Sequence, residues 1–145
     1  MAEVLKKAST PVITVQAHAT VEEAVRIMVK HHIGAIVVLE GGRLTGIFSE
    51  RDVMEKVVLG RLDPATTLVA SVMTWPVVAA VAGSDDAEAV DEMVERHIRH
   101  MPVVDHDGRV VGMLSFRHAM QDRIDDLKHE VYALEAYLGY DGVSG

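Results

Sequence analysis

Two stretches of the chain repeat one arrangement of residues that could do chemistry. The first, "GIFSERDVMEK", begins at Gly46, and the second, "GMLSFRHAMQD", begins at Gly112. Each has a serine three residues after its glycine, but the first has Asp52 where the second has His118. A carboxylate can accept hydrogen bonds from two adjacent hydroxyls of a sugar, and bonds to a charged acceptor are the stronger kind. Asp52 is therefore a candidate sugar acceptor that the second stretch lacks.

Ser49 stands where an apolar run, typical of a strand, gives way to a helical pattern. Helix N-termini offer unpaired N–H groups that suit a phosphate, and Gly46 lets a ligand approach the backbone closely. The spacing from Ser49 to Asp52 is also that of a capping box, in which the two residues only finish the helix. Both interpretations remain open, and for Ser49 they can coexist.

A basic pair, Arg99 and His100, precedes the apolar run "MPVV", which is typical of a buried strand. The corresponding residues earlier in the chain are Gly34 and Ala35, which carry no charge. Arginine presents a fixed fork of donors that suits phosphate. The alternative is a solvated pair at a helix end, where cations are favoured in any case.

The sequence segments predicted to form the helices and strands that position these residues also occur twice. A shift of 65 positions lays "PVITVQAHATVEEAVRIMVKHHIGAIVVLE" over "PVVAAVAGSDDAEAVDEMVERHIRHMPVVD". Each copy contains an extended segment, an amphipathic helix, an apolar strand, a glycine turn, a second strand and a second helix. The predicted order is β-α-β-β-α, twice. Since a unit of about 60 residues buries too little surface alone, we expect the two units to pack through their sheets, with pseudo-two-fold symmetry.

The chain resembles a stand-alone tandem pair of cystathionine-beta-synthase (CBS) domains, a Bateman module. The motifs "TPVITVQAHATVEEAV", "HHIGAIVV", "GIFSERDV", "SVMT", "RHIRHMPVVD" and "GMLSFRHA" carry the resemblance by their order, spacing and repetition. It implies an α/β (α+β) fold of two CBS motifs plus a C-terminal helix. The predicted divisions are residues 1–60 and 74–124 for the motifs, 61–73 for a linker, and 125–145 for a dimerisation helix and tail.

The resemblance implies a regulatory module that is not an enzyme and that senses an adenine nucleotide, AMP, ADP, ATP or NAD, or S-adenosylmethionine. The ribose would contact Asp52, the phosphates would contact Arg99 and His100, and the adenine would lie against apolar strand positions. The predicted nucleotide-binding residues are Ile47, Ser49, Glu50, Arg51, Asp52, Val78, Arg99, His100, Met101 and Pro102. A second cleft, formed by His118, Gly34 and Ala35, would bind a nucleotide weakly or not at all. We therefore expect one good nucleotide site in each chain.

The composition excludes several other classes of protein. Of the 145 residues, 49% are apolar and none is cysteine, which allows a packed core and removes disulfides, thiolate metal sites and cysteine nucleophiles. The net charge of -8 argues against a nucleic-acid partner, because such binding depends on clustered cations. The N-terminus "MAEVLKKAST" lacks the apolar run of a signal peptide, and no apolar stretch is long enough for a membrane span. We expect a cytoplasmic protein.

Seven histidines raise the alternative of a metal sensor: His31, His32, His97, His100, His106, His118 and His129. Metal sites need three or four ligands that converge on one point, and no spacing here predicts such convergence. Surface histidines are the simpler interpretation, and no metal is expected to be required. No recognisable nucleophile motif or phosphate-binding glycine loop supports catalysis either.

The C-terminal region carries an apolar seam with steps of four and three residues: Met120, Ile124, Leu127, Val131, Leu134 and Leu138. A seam of this spacing predicts a helix that pairs with another helix, most simply in a symmetric homodimer. The alternative is a helix that folds back on its own domain. A further alternative for the whole chain is a ligand-independent dimeric scaffold, whose partner, like the regulated protein of a sensor, the sequence does not name.

Overall fold

The computed structural model describes residues 12–139. The first eleven residues, which include the N-terminal segment judged not to be a signal peptide and Pro11 of the repeat, lie outside the described residues. So does the end of the predicted tail, residues 140–145.

The first unit has the predicted element order. It comprises β1 (Thr14–Gln16), α1 (Val21–His31), β2 (Ala35–Glu40), β3 (Arg43–Ser49) and α2, which begins as Glu50–Asp52 and continues as a π-helical stretch, Val53–Val58. A short helix, α3 (Val69–Val72), follows in the connecting segment. The three strands form a sheet in which β1 and β2 are parallel and β2 and β3 are antiparallel.

The second unit repeats this topology. It comprises β4 (Ala80–Val81), α4 (Asp86–Arg96), β5 (His100–Val104), β6 (Val110–Ser115) and α5 (Phe116–Tyr137). Its sheet again pairs the first two strands in parallel and the last two antiparallel. α5 is a single helix of 22 residues, so the helix of the second unit and the predicted C-terminal helix are one continuous element.

The repeat extends to details of the backbone. His32 and His97 end α1 and α4 in the left-handed conformation, and each donates its backbone N–H to carbonyls of the preceding turn. The β2–β3 and β5–β6 ladders shift register at corresponding positions, after Val38 and after Val103. A shift of 65 residues in sequence therefore superposes caps and bulges as well as whole elements.

Each unit has its own hydrophobic core. The helical stripe predicted from the sequence is buried at Val21, Ala24 and Met28 in α1, and α4 contributes Ala89, Val90 and Met93 to the second core. The other face of each sheet is covered too: Val37 and Pro102 are fully buried although neither belongs to these cores. The two units pack through these second faces, as the sequence predicted.

The connecting segment is part of the first unit rather than a free tether. Val69 and Val72 of α3 are buried in the first core. The backbone N–H of Val69 donates to the carbonyl of Ala19, and that of Ala70 donates to the carbonyl of Ala17. Beyond α3, the chain adds a short antiparallel bridge to β3 before it enters the second unit.

The second half of α5 extends beyond the core it helps to close. Met120 packs against the second core, whereas the later seam residues are 43–61% exposed: Ile124, Leu127, Val131, Leu134 and Leu138. Gly139 follows with a positive φ of 65°, which suits the predicted end of this helix. The alternative in which the seam folds back on its own domain is wrong for this described part of the chain. Within residues 12–139, no helix is both long enough and apolar enough to cross a membrane.

Candidate functional site

A cleft of about 490 Å³ lies between the two units. Its volume falls within the range of about 300–1,000 Å³ that is typical of small-molecule sites. Both units and the connecting segment line the cleft: Gly34, Ile47, Ser49, Glu50, Arg51, Thr74, Pro76, Val77, Val78, Arg96, His97, Ile98, Arg99 and His100. The repeat has therefore placed the end of β3 beside the start of β5, as the sequence analysis expected.

Different chain segments supply two kinds of chemistry to this cleft. The connecting segment contributes the apolar run Pro76–Val78, to which β3 adds Ile47. The end of α4 and the start of β5 contribute five consecutive residues, 96–100, of which two are arginines and two are histidines. Such a lining suits a ligand with a flat apolar part and an anionic part.

Seven of the ten predicted site residues line the cleft: Ile47, Ser49, Glu50, Arg51, Val78, Arg99 and His100. Asp52, Met101 and Pro102 are absent from its lining. Met101 and Pro102 are buried inside β5, where they pair with Leu114 and Met113 of β6. The resemblance assigned these two residues to the nucleotide, but in the structure their side chains are buried in the packing of the sheet.

Asp52 forms the capping box that the sequence analysis held as an alternative. Its Oδ2 accepts hydrogen bonds from the backbone N–H and the hydroxyl of Ser49, at 3.0 and 3.1 Å. The hydroxyl of Ser49 in turn accepts from the backbone N–H of Asp52 at 3.2 Å. This reciprocal pair satisfies donors that the start of α2 would otherwise leave unpaired.

The second oxygen of Asp52 faces the connecting segment. Oδ1 accepts a hydrogen bond from the hydroxyl of Thr74 at 2.9 Å and lies 3.0 Å from Nζ of Lys56. Asp52 is only 4% exposed, so these partners offset the cost of burying its charge. Thr74 also lines the cleft, so the residue that donates to Asp52 Oδ1 is part of the cleft wall.

Backbone and side-chain contacts fix the position of Thr74. Its N–H donates to the carbonyl of Ile47 at 2.8 Å, and the N–H of Ile47 donates back at 3.0 Å. Beside this bridge, a side chain at Gly46 would collide with Met73. The expectation that Gly46 leaves room for a ligand is therefore wrong, because the space next to its Cα belongs to Met73.

His100 is the titratable group of the cleft with a clear shift. Burial lowers its pKa from the ordinary value of 6.5; Glu50 opposes this shift and Arg99 adds to it. The imidazole is therefore favoured in its neutral form near pH 7, in which it donates one hydrogen bond and accepts another.

A second, smaller cleft of about 190 Å³ is lined by the residues that the sequence predicted for it. Gly34, Ala35, Ser115 and His118 line it, together with His32 and His100. Its lining holds no arginine, lysine or carboxylate, whereas the larger cleft is lined by three arginines and by Glu50. Although three histidines line this cleft, no group of three or more metal-ligating residues within residues 12–139 is arranged to hold a metal ion.

Seven lining residues of the larger cleft were not among the predicted site residues: Gly34, Thr74, Pro76, Val77, Arg96, His97 and Ile98. One signal was available for Arg96, because the shift of 65 places it opposite His31, an asymmetry of the kind that singled out Arg99. Thr74 carried no such signal. It reaches the cleft because the connecting segment bridges to Ile47, a contact between residues 27 positions apart.

The structure thus consists of two β-α-β-β-α units with a cleft of small-molecule size between them. The family model that matches the chain is the CBS domain, at residues 2–59 and again at 69–123. The chain belongs to the CBS domain family and carries two CBS motifs, and CBS domains are regulatory modules.

Individual relatives agree with this assignment. The mitochondrial CBS domain-containing protein CBSX3 of Arabidopsis thaliana is 30% identical over 124 residues, which cover 82% of this chain and 60% of that protein. The structure of the CBS domain protein TA0289 from Thermoplasma acidophilum matches with a TM-score of 0.77 and 26% identity, over 83% of this chain and 68% of that one. The CBS domain protein PAE2072 from Pyrobaculum aerophilum, complexed with AMP, matches with a TM-score of 0.75 and 25% identity, over 81% and 89% of the two chains.

Several relatives are longer proteins. The chain spans 14%, 60% and 57% of the length of three curated relatives, from Schizosaccharomyces pombe, Arabidopsis thaliana and Methanopyrus kandleri.

Proposed function

We propose that the chain is a non-catalytic regulatory module that binds an adenine nucleotide in the larger cleft and transmits the bound state to a partner protein. The observation that carries this proposal is the lining of that cleft, where apolar residues from one segment face the same space as a run of arginines and histidines from another. The protein PAE2072, whose fold matches over most of this chain, is complexed with AMP.

The adenine would lie against Ile47 and Val78, which are apolar and line the cleft. The phosphate would contact Arg99, whose guanidinium offers a fork of donors, and His100, which can donate one hydrogen bond even when neutral. AMP, ADP, ATP and NAD share the adenosine part that this arrangement addresses.

The ribose requires one local rearrangement. Asp52 does not line the cleft, whereas Thr74, whose hydroxyl donates to Asp52 Oδ1 at 2.9 Å, does. A ribose hydroxyl is itself a donor, so it would replace the Thr74 hydroxyl at Asp52 Oδ1 after a change of the Thr74 rotamer. Lys56 and Ser49 would keep their contacts with Asp52 and hold its carboxyl group in place.

Signal transmission would use the homodimer that the exposed seam of α5 supports. A nucleotide that touches both units has a different affinity for each arrangement of the units, and it shifts their equilibrium by that difference and no more. Because α5 begins directly after Ser115 at the end of β6, a change between the units would move the base of the helix.

A ligand-independent scaffold is the second candidate function. It is favoured by the inward orientation of Asp52, whose two oxygens both have partners within the protein. In this case the seam of α5 would be the functional surface, and the clefts would bind nothing.

Thermal unfolding with and without AMP, ADP, ATP and NAD distinguishes the two functions, with GMP as the control. A ligand present at 100 times its Kd stabilises the native state by about 2.7 kcal/mol, which raises Tm by several degrees for a chain of this size. We expect such a shift with at least one adenine nucleotide and a smaller one with GMP. No shift with any adenine nucleotide at millimolar concentration would overturn the sensor proposal and favour the scaffold.

Matched variants test the roles of the residues. Arg99→Gln should weaken AMP binding about ten-fold, because a charged hydrogen bond of about 1.5–3 kcal/mol is lost. Asp52→Asn should weaken it to a similar extent, whereas Thr74→Val, which removes the competing donor, should not weaken it. Undiminished affinity in Asp52→Asn would count against the ribose contact and leave the phosphate contact standing.

A further inference from the structure

The basic side of the larger cleft extends beyond the pair that the sequence singled out. Arg51 and Arg96 also line the cleft, one from α2 of the first unit and one from the end of α4 in the second. Together with Arg99 they give the lining three guanidinium groups, whereas Glu50 is its single carboxylate.

Arg51 and Arg96 are each held by a glutamate on their own helix. Nε of Arg96 donates to Glu92 at 2.6 Å, and Nε of Arg51 lies 3.9 Å from Glu55. Both pairs involve the Nε position, so the two terminal nitrogens of each guanidinium remain available as donors to another acceptor. Neither glutamate lines the cleft. The two arginines thus line the ligand space, whereas their compensating carboxylates lie outside its lining.

The fork of Arg99 and the hydrogen bond from His100 can already engage the oxygens of a single phosphate. Arg51 and Arg96 come from different units and add guanidinium donors beyond that pair. We infer that the cleft is built for a nucleotide with two or three phosphates, and that Arg96 contacts a phosphate beyond the first. This inference rests on the proposed function and names the ligand class within it.

The glutamates paired with Arg51 and Arg96 limit the expected preference for ATP over AMP. Glu55 and Glu92 offset part of the positive charge of their arginines, so the gain from each added phosphate is smaller than three free guanidinium groups would give. An added charged hydrogen bond at a partly exposed position is expected to give about ten-fold in affinity between AMP and ATP.

Calorimetric titration with adenosine, AMP, ADP and ATP, in buffer with EDTA and at two salt concentrations, tests the inference. We expect affinity to rise with phosphate number, ATP to bind about ten-fold more tightly than AMP, and the salt dependence to be steepest for ATP. The variant Arg96→Gln should reduce the ratio of ATP to AMP affinity to about three-fold or less and leave adenosine binding unchanged.

Arg26→Gln is the matched control. Arg26 is also an exposed helical arginine paired with a glutamate four residues earlier, Glu22, at 3.7 Å, but it does not line the cleft. Arg26→Gln should leave the ratio of ATP to AMP affinity at its wild-type value, and thermal unfolding should show that both variants are folded. AMP binding as tightly as ATP, or an unchanged ratio in Arg96→Gln, would overturn this inference while the nucleotide-sensing proposal stands. If none of the four ligands binds, this inference fails, and the proposed function fails as well unless NAD stabilises the chain.

Discussion

Asp52 Oδ1 lies 3.0 Å from Nζ of Lys56, one helical turn further along the chain. The same Nζ donates to the backbone carbonyl of Val72 at 3.0 Å. Asp52 and Lys56 therefore connect the start of α2 to the segment that leads into the second unit. Thr74, which completes this cluster, forms part of the cleft wall, so the pair that fixes the segment also fixes one side of the candidate site.

This ion pair should matter more for stability than the ion pairs on the protein surface. Lys56→Met keeps much of the aliphatic stem but leaves Asp52 buried without its cation, and we expect a loss of about 1–3 kcal/mol in the free energy of unfolding. The value is set below that of a fully buried pair because the Lys56 side chain is 40% exposed. Urea denaturation at pH 7 measures it.

Arg26→Met provides the comparison, since it breaks the exposed pair with Glu22 and should cost at most about 0.5 kcal/mol. Equal losses in Lys56→Met and Arg26→Met would show that the cluster around Asp52 contributes no more than a surface pair.

The contact between Gly46 and Met73 gives a second prediction. A Cβ at Gly46 would collide with the Met73 side chain, which is flexible and can move at some cost. We expect Gly46→Ala to lower the free energy of unfolding by about 1–3 kcal/mol, and Met73→Ala to relieve much of that strain. In a double-mutant cycle the two changes should couple by about 1 kcal/mol. Strictly additive effects would mean that Met73 does not occupy this space in solution.

The repeat made much of this fold predictable. Because both units follow one pattern, the element order, the buried stripe of α1 and the meeting of Arg99 with the end of β3 could all be stated from the sequence. The orientation of Asp52 could not, since Ser-x-x-Asp satisfies a helix cap and a sugar site equally well. The choice depends on Thr74, which reaches Asp52 only once the connecting segment has packed. Thr74 lies 22 residues away along the chain, beyond any local pattern.

His100 should make stability depend on pH. Burial lowers its pKa in the folded protein below the ordinary value of 6.5, so below about pH 6.5 the unfolded chain binds more protons than the folded one. The contribution of His100 to stability is therefore present above pH 6.5 and is lost as the pH falls through the folded pKa. Glu50 opposes this effect and Arg99 adds to it, and His32 and His118 line the smaller cleft with His100.

Urea denaturation between pH 7.5 and pH 5.5 should show the free energy of unfolding falling faster in the wild-type chain than in His100→Gln. Parallel pH profiles for the wild type and His100→Gln would contradict the assigned shift.

The unequal clefts predict one nucleotide per chain. His118, which lines the smaller cleft, occupies the position in the second unit that Asp52 occupies in the first. The lining of the smaller cleft contains no arginine. Calorimetric titration should give a stoichiometry of one strong site, and His118→Ala should leave the affinity within about two-fold of the wild type. Two strong sites in each chain, or a ten-fold loss in His118→Ala, would show that the smaller cleft binds nucleotide after all.

The exposed seam of α5 predicts self-association. Leu127 and Val131 are 48% and 53% exposed and lie next to each other on the helix, and the seam continues through Leu134. A seam with steps of three and four residues can be buried against the same seam of a second copy, as in a two-stranded coiled coil. We expect sedimentation equilibrium to give a dimer for the wild-type chain and a monomer for Leu127→Glu, because a carboxylate in the paired seam would be buried without a partner. Ala133→Glu adds the same charge on the opposite side of the helix and should remain dimeric, so a dimer in all three chains would mean that the copies associate through a different surface.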